Sequence, residues 1–252
     1  MSKRLFTLFF LFTTLAMTSC HRHTQVVDIS ARPVAVTKAL DATPDSSTNA
    51  IADEYRQRVK EKHSVVIGTT DELMERVRPE SNLTNFAADA VRRSGDILNG
   101  SPVDFAITNM GGLRNVFMPG DITVGELYNI FPFENSLYLI TLTGDEVISL
   151  FKEVAAAGGQ CISGANLVIS ADGMLLDATI GEKAIDNERT YRVATIDYLA
   201  EGNDGLTTLA GGTDRIMSED LYIRQMAADY IATFTQKGLP VHIPVEGRII
   251  VK

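Results

Sequence analysis

The sequence is poor in the residues from which metal centres and disulfide frameworks are built. Its 252 residues include four histidines and two cysteines. Cys20 follows an N-terminal apolar segment, and Cys161 stands alone. If Cys20 is modified, no cysteine pair remains, so the fold must depend on its apolar core rather than on disulfides. A lone cysteine beside Ile162 is more typical of a small core residue than of a nucleophile.

Motifs that supply hydrolytic chemistry are also missing. A two-metal phosphatase centre clusters His, Asp and Asn ligands, often in Asp-x-His and Gly-Asn-His segments, and the sequence has neither segment. The histidines, at His21, His23, His63 and His242, do not make a metal site. No Gly-x-Ser-x-Gly elbow is present. The sequence therefore predicts no catalytic residue and no metal ligand.

The N-terminal apolar run is short. Residues 5–17 are mostly apolar, whereas a transmembrane helix needs about 20 apolar residues. Lys3 and Arg4 precede the run, and Thr18-Ser19-Cys20 follows it, which is the pattern of a bacterial lipoprotein signal. We expect residues 1–19 to be a signal peptide, Cys20 to carry the lipid, and the protein to be anchored to a bacterial cell-envelope membrane, facing the periplasm or the exterior. An ordinary secretory signal cut nearby is the alternative.

The chain is acidic, with 32 acidic and 23 basic residues and a formal charge of −9. Removal of residues 1–19 would take away Lys3 and Arg4 and no acidic residue, giving −11. Such a protein is a poor candidate for binding the nucleic-acid backbone, so we expect no nucleic-acid partner. Residues 20–49 lack periodicity and predict a flexible tether, and residues 50–252 predict one domain.

Apolar periodicity predicts a mixture of helices and strands. Helices are predicted over 50–62, 83–93, 124–130, 144–156 and 219–237. Strands are predicted over 64–68, 103–108, 136–142, 166–170, 174–180, 190–194 and 247–251. Glu219 and Asp220 would complement the positive end of the last helix, and Gly238 would end it. Because no regular β-α-β rhythm is present, the sequence predicts the α+β class.

The most informative stretch is Asn109-Met110-Gly111-Gly112-Leu113-Arg114. The preceding residues, 103–108, are β-branched and aromatic, which predicts a buried strand leading into a tight loop. Gly111 and Gly112 would let backbone N–H groups approach a ligand, and Arg114 would add a planar cation suited to phosphate or to neighbouring hydroxyls. A plain turn with a solvated arginine is the alternative interpretation.

Three further stretches accompany this loop in a fixed order. They read ESNLTNFAADA over 80–90, FPFEN over 131–135 and YLAEGNDG over 198–205. Together the four stretches resemble the C-terminal, substrate-binding domain of the 5'-nucleotidase / UDP-sugar hydrolase family, whose usual forms read ESNLGN, NGGGIR, PFGN and FLANGGDG. The resemblance extends from about Val65 to the C-terminus. It implies a layered α/β/β/α sandwich.

The resemblance also implies roles for individual residues. Phe133 and Tyr198 would stack on the two faces of a nucleobase. Asp204 would accept hydrogen bonds from ribose hydroxyls. Asn109 would contact the edge of the base, and Arg114 the ribose and phosphate side. For both aromatic residues, simple core packing is the alternative, and Asp204 could instead cap its own turn.

In that family, a separate N-terminal metallophosphatase domain supplies two divalent metals and the hydrolytic chemistry. We therefore expect this chain to be the nucleotide-recognising subunit of a split 5'-nucleotidase-like phosphohydrolase. It would bind no cofactor itself and would work with a metallophosphatase partner. One rival is a nucleotide- or nucleoside-binding lipoprotein that acts alone, without hydrolysis, and another is a relic fold with a surface role that binds no ligand.

The sequence departs from the family pattern at several positions. Met110, Thr84 and Asn203 each stand where the family has glycine. Val77 stands where the family often has another ligand-binding arginine. Arg76 and Arg78 flank that position, and the sequence leaves open whether either of them contacts a ligand.

Overall fold

A computed structural model describes residues 28–252. The predicted signal peptide, Cys20, His21 and His23 lie outside the described residues. The described residues fall into two units, 28–51 and 52–252. The described part of the first unit contains a 3-10 turn at Lys38–Ala42 and the start of the first helix.

Six α-helices are present among the described residues. They are α1 (Ser46–His63), α2 (Asn82–Asn99), α3 (Val124–Ile130), α4 (Gly144–Ala156), α5 (Asp197–Ala200) and α6 (Ile223–Thr235). The bounds of α3 and α4 are those that the sequence predicts. The predicted helices over 50–62 and 83–93 are longer in the structure, and α1 begins inside the segment that we expected to be a tether. No helix of residues 28–252 is both long enough and apolar enough to cross a membrane.

The strands form three sheets. In chain order they are β1 (Val66–Thr70), β2 (Phe105–Thr108), β3 (Gly120–Thr123), β4 (Ser136–Thr143), β5 (Cys161–Ser163), β6 (Ala165–Ile169), β7 (Leu175–Ile180), β8 (Lys183–Ala184), β9 (Thr190–Ile196), β10 (Thr213–Tyr222) and β11 (Ile249–Val251). β1 and β3 form a two-stranded sheet. The five-stranded sheet has the order β10-β4-β9-β2-β5, and the four-stranded sheet has the order β11-β6-β7-β8. The α+β class is confirmed.

Helix α2 anchors one face of the five-stranded sheet. Ser81 caps it, because Ser81 Oγ accepts from the Thr84 N–H at 3.3 Å and Thr84 Oγ1 accepts from the Ser81 N–H at 2.8 Å. Its buried face includes Leu83, Phe86 and Val91 and packs against β2, β5 and β9. α2 also contacts α6, and α4 contacts strands of both larger sheets. Helices and sheets thus form layers around one apolar core.

The prediction of a helix over 219–237 is wrong at its start. Residues Thr213–Tyr222 form strand β10, and the helix begins only at Ile223. β10 pairs with β4, with Ile216 opposite Leu139 and Tyr222 opposite Ser136, so the sheet satisfies backbone groups that a helix would otherwise have used. Glu219 and Asp220 therefore lie in a strand and have no helix dipole to complement.

Candidate functional site

Three loops meet at one edge of the five-stranded sheet. β2 and β9 run parallel and both end at this edge, whereas β4 is antiparallel to β9 and begins there. The loop after β2 carries Asn109, and the loop before β4 carries Phe133. The segment after β9 carries Tyr198 and Asp204. Strand direction therefore brings together side chains that are far apart in the sequence.

The loop after β2 turns tightly. Met110–Gly112 form a single 3-10 turn, and the Met110 side chain is buried in the core. The Met110 N–H donates to Gln160 Oε1 at 2.8 Å. A methionine in place of the family's glycine is thus accommodated without a left-handed backbone. A Cβ at Gly112 would lie 2.8 Å from Asn109 Oδ1, so glycine at 112 leaves room for the Asn109 amide.

Asp204 lies at the centre of a hydrogen-bonded group. Its Oδ2 accepts from Asn109 Nδ2 at 2.7 Å, and its Oδ1 accepts from the Tyr198 hydroxyl at 2.9 Å. Asp204 has a left-handed φ of 56°, and Gly202 and Gly205 on either side have φ of 83° and 78°. Aspartate is one of the few side chains that tolerate this conformation. This turn therefore places the Asp204 carboxylate, which Asn109 and Tyr198 orient, at the edge of the five-stranded sheet.

The Tyr198 hydroxyl is held in its protonated form. Its hydrogen bond to Asp204 and the negative charge of that carboxylate raise the pKa of the Tyr198 phenol above its usual value. Deprotonation would place two negative charges side by side and would remove the hydrogen bond. Tyr198 thus acts as a donor to Asp204 at neutral pH.

The two aromatic side chains are neither buried nor fully exposed. Phe133 is 49% exposed and Tyr198 is 39% exposed, so neither is a core residue. The guanidinium carbon of Arg114 lies 5.9 Å from the centre of the Phe133 ring. The only hydrogen bond of the Arg114 side chain among the described residues is a long one, 3.3 Å, to the Gly111 carbonyl. Most of the donors of this guanidinium therefore remain available.

These side chains line one cavity of about 380 Å³, within the range of small-molecule sites. Its lining consists of Asn109, Gly111, Gly112, Arg114, Phe133, Asn135, Tyr198 and Asp204. All seven residues that the sequence predicts for substrate binding thus come together.

Sequence reasoning did not assign the eighth lining residue, Asn135. Asn135 Nδ2 donates to Asp197 Oδ1 at 2.8 Å, so the amide is held in place. Its position in the FPFEN stretch, two residues after Phe133, was the signal that could have identified it. The ESN stretch, by contrast, does not line the cavity. Ser81 caps α2, and Asn82 bonds the backbone of Leu73 and Glu75.

Neither of the two arginines beside Val77 lines the cavity. Arg76 donates to the carbonyls of Met110 and Leu113. Arg78 donates to the carbonyls of Ala157 and Gly159. Both arginines therefore bond main-chain carbonyls of the protein outside the cavity lining.

No group of three or more His, Cys, Asp or Glu side chains within residues 28–252 is placed to hold a metal ion. Cys161 is fully buried on β5, and burial raises the pKa of its thiol to about 12. A thiol with such a pKa is not a nucleophile at neutral pH. Cys161 is therefore a core residue, as its sequence context predicts.

The chain is an α+β domain with one cavity lined by two aromatic side chains, a carboxylate and a guanidinium. Sequence comparison identifies the family, because the model of the 5'-nucleotidase, C-terminal domain matches residues 66–211. The chain belongs to this family, and the resemblance seen in the four motifs is confirmed.

Relatives of the chain are longer proteins. It is 32% identical over 222 residues to the trifunctional nucleotide phosphoesterase protein YfkN of Bacillus subtilis (strain 168), a match that covers 78% of this chain and 14% of that protein. It is 27% identical to protein UshA of Escherichia coli (strain K12), covering 81% of this chain and 37% of that one. The crystal structure of the 5'-nucleotidase precursor from Thermus thermophilus is similar with a TM-score of 0.69 and 26% identity, covering 84% of this chain and 44% of that one. The chain thus spans less than half the length of each.

Proposed function

We propose that the cavity binds the nucleoside part of a nucleotide. The observation that carries this proposal is the combination of two half-exposed aromatic rings with a fixed carboxylate in one cavity of about 380 Å³. The rings of Phe133 and Tyr198 offer faces on which a base can stack. The Asp204 carboxylate retains lone pairs beyond those used by Asn109 and Tyr198, so it can accept from sugar hydroxyls.

Arg114 gives the cavity a positive end. We propose that its guanidinium faces the phosphate side of the ligand. Within residues 28–252 its side chain makes one hydrogen bond, to the Gly111 carbonyl, and no ion pair. A bidentate guanidinium suits phosphate oxygens. Its charge would also offset the acidic net charge of the chain at the point where an anionic ligand enters.

We propose further that the domain is the substrate-recognising part of a 5'-nucleotidase-type phosphohydrolase, and that a metallophosphatase domain on a partner chain supplies the divalent metals and the attacking water. In support, the cavity lining contains no serine, cysteine or histidine, and the trifunctional nucleotide phosphoesterase protein YfkN, to which the chain is similar, is much longer than this chain. The role of this chain is then to hold base and ribose so that the scissile bond meets the partner's metals.

The first experiment is calorimetric titration of the protein from residue 21 onward with adenosine, AMP and UDP-glucose. We expect saturable binding, weakened about tenfold or more by Phe133→Ala or by Tyr198→Ala, because each removes a stacking surface. Tyr55→Ala is the matched control, since Tyr55 is an exposed aromatic on α1 that does not line the cavity. Absence of heat with all three ligands would refute the proposed binding function.

The partnership has its own test. Nucleotide hydrolysis by a purified metallophosphatase-domain chain should rise, or should change its substrate preference, when this protein is added. Phe133→Ala should abolish that effect while leaving the partner's basal activity unchanged. If no metallophosphatase responds, the partnership is refuted even where nucleoside binding is observed.

We propose that Cys20 is lipidated and that the protein is held at a cell-envelope membrane. The basis is the sequence of residues 1–20, with its basic start, its short apolar run and the small residue before cysteine. Cells supplied with radioactive fatty acid should label the unchanged protein, and Cys20→Ser should remove the label. An unlabelled, secreted product would instead indicate an ordinary secretory signal.

A further inference from the structure

Each of the three loops of the site is bonded from outside by one arginine. We refer to Arg76, Arg215 and Arg224 as the bracing arginines. None of them lines the cavity. All three donate to main-chain carbonyls of the segments that carry the lining residues, and each does so at two or three carbonyls.

Arg76 braces the loop that follows β2. Its Nη1 donates to the carbonyls of Met110 and Leu113, both at 3.0 Å. These carbonyls lie at the two ends of the 3-10 turn that contains Gly111 and Gly112. One guanidinium therefore spans the turn that sets the position of Asn109.

Arg224 braces the loop that carries Phe133. From the first turn of α6, its Nη1 donates to the carbonyls of Phe131 at 2.9 Å and of Phe133 at 3.1 Å, and its Nη2 pairs with the Glu134 carboxylate at 2.7 Å. The guanidinium carbon lies 4.5 Å from the centre of the Tyr128 ring. The Arg224 side chain is only 12% exposed, so these hydrogen bonds, the ion pair and the aromatic contact fix its position.

Arg215 braces the segment after β9. Its Nη2 donates to the Ala200 carbonyl at 2.7 Å, and its Nη1 donates to the carbonyls of Leu209 and Ala210 at 3.0 and 3.3 Å. These carbonyls lie on either side of Asp204 in the chain, so one side chain ties both ends of the loop that presents the carboxylate. Arg215 also stacks over Tyr138, with its guanidinium carbon 5.0 Å from the ring centre.

We propose that the bracing arginines are positioning residues of the site, each fixing one loop so that its side chain reaches the ligand. A guanidinium suits this task because it has five donors in a rigid fork and keeps its charge at any physiological pH. Hydrogen bonds to such a charged donor are stronger than neutral ones, and a preorganised loop lowers the cost of ordering on binding. A lysine has one nitrogen and could not make the separate Nη1 and Nη2 contacts of Arg215 and Arg224.

The first measurement needs no ligand. Hydrogen–deuterium exchange of the full chain in detergent solution should show faster exchange confined to one loop in each variant. In Arg224→Met we expect about tenfold faster exchange at the Phe131 amide, which bonds Leu127, while the Leu113 amide is unchanged. In Arg76→Met the pattern should reverse. Arg224→Lys should fall between Arg224→Met and the unchanged protein.

Arg189→Met is the matched control. Arg189 also pairs with a carboxylate, that of Asp104, and stacks over an aromatic ring, 4.7 Å from the centre of Tyr191, but it bonds no carbonyl of the three loops. It should leave exchange in all three loops unchanged. Uniformly faster exchange in the Arg224 variants, including the core strands, would mean global destabilisation and would overturn the inference, as would exchange identical to that of the unchanged protein.

The second measurement rests on the proposed function. Adenosine affinity should fall about tenfold in Arg224→Met and recover partly in Arg224→Lys, whereas Arg189→Met should bind normally. Normal affinity in Arg224→Met, despite a loosened loop, would overturn the positioning role. If the unchanged protein binds no nucleoside at all, the proposed function fails, and the exchange pattern still decides whether the arginines hold the loops. Should Arg224→Met not fold, Arg224→Lys and Arg76→Met give the same decision.

Discussion

Replacement of Asp204 by asparagine should separate recognition of the sugar from recognition of the base. Asparagine has almost the same shape and tolerates the left-handed φ of 56° at this position, so the loop should keep its conformation. In the unchanged protein, the two oxygens of Asp204 accept from Asn109 at 2.7 Å and from Tyr198 at 2.9 Å. The variant removes the negative charge and replaces one of these oxygens by an amide nitrogen.

The magnitude follows from the hydrogen bonds that the carboxylate would make with the ligand. A hydrogen bond to a charged group contributes about 1.5–3 kcal/mol, which corresponds to roughly 10–100-fold in affinity. We therefore expect the affinity for adenosine to fall by that factor in Asp204→Asn. Adenine has no sugar hydroxyls, so its affinity should stay the same. Titration calorimetry with both ligands measures the two effects separately.

Asp214→Asn provides the control, because Asp214 is another left-handed aspartate, with φ of 46°, and does not line the cavity. Asp204→Asn also tests the cause of the raised pKa of Tyr198. Since the bond to Asp204 and its charge raise that pKa, Asp204→Asn should lower it, as seen by ultraviolet titration of the phenolate against Tyr198→Phe. An equal loss of adenine and adenosine binding, or no loss of either, would refute the assignment of Asp204 to the sugar.

Three further predictions concern single residues. Gly112→Ala should weaken adenosine binding measurably, since its Cβ would displace the Asn109 amide, whereas Gly211→Ala, where a Cβ has open space, should bind normally. Ser81→Ala should lower the free energy of unfolding in urea by about 1 kcal/mol through loss of the α2 cap, with unchanged ligand affinity. Cys161 should resist thiol reagents at pH 8 in the folded protein and react promptly in denaturant, because its buried thiol has a pKa of about 12. Reaction at full rate in the folded state would contradict its burial.

Local sequence signals were sufficient to predict where several helices begin or end. α3 and α4 have the predicted bounds because each begins with a capping box, formed by Thr123 with Glu126 and by Thr143 with Glu146. Such a box involves residues three positions apart, so it can be read without knowledge of the rest of the chain. The end of α6 before Gly238, which has a left-handed φ, is a signal of the same kind.

Elements that depend on distant partners were missed or misjudged. Residues 219–222, the end of β10, were predicted as the start of a helix because Glu219 and Asp220 resemble a first helical turn, yet β10 pairs with β4. The short strand Cys161–Ser163 carries no strand signal of its own and exists through its pairing with β2. Strand pairing is a property of two segments, and sequence periodicity describes only one at a time.

The bracing arginines were outside the reach of sequence reasoning for the same reason. Arg76 bonds a carbonyl 34 residues away, and Arg224 bonds one 93 residues away. A carbonyl acceptor has no side-chain identity, so nothing in the sequence distinguishes these arginines from solvated ones. The sequence left Arg76 and Arg78 as candidates for the ligand, and the structure instead directs both to main chain.

The sequence by itself determined the chemical content of the site. It specified which residues supply an amide, a carboxylate, a cation and two aromatic faces, and it placed glycines where the loops turn, because these properties belong to residues and their immediate neighbours. Only the tertiary structure decided that they meet. Asn109 and Asp204 are 95 residues apart and 2.7 Å from each other because β2, β9 and β4 place their ends at one edge of a sheet. That alignment depends on strand order and direction, which arise from the packing of the whole core.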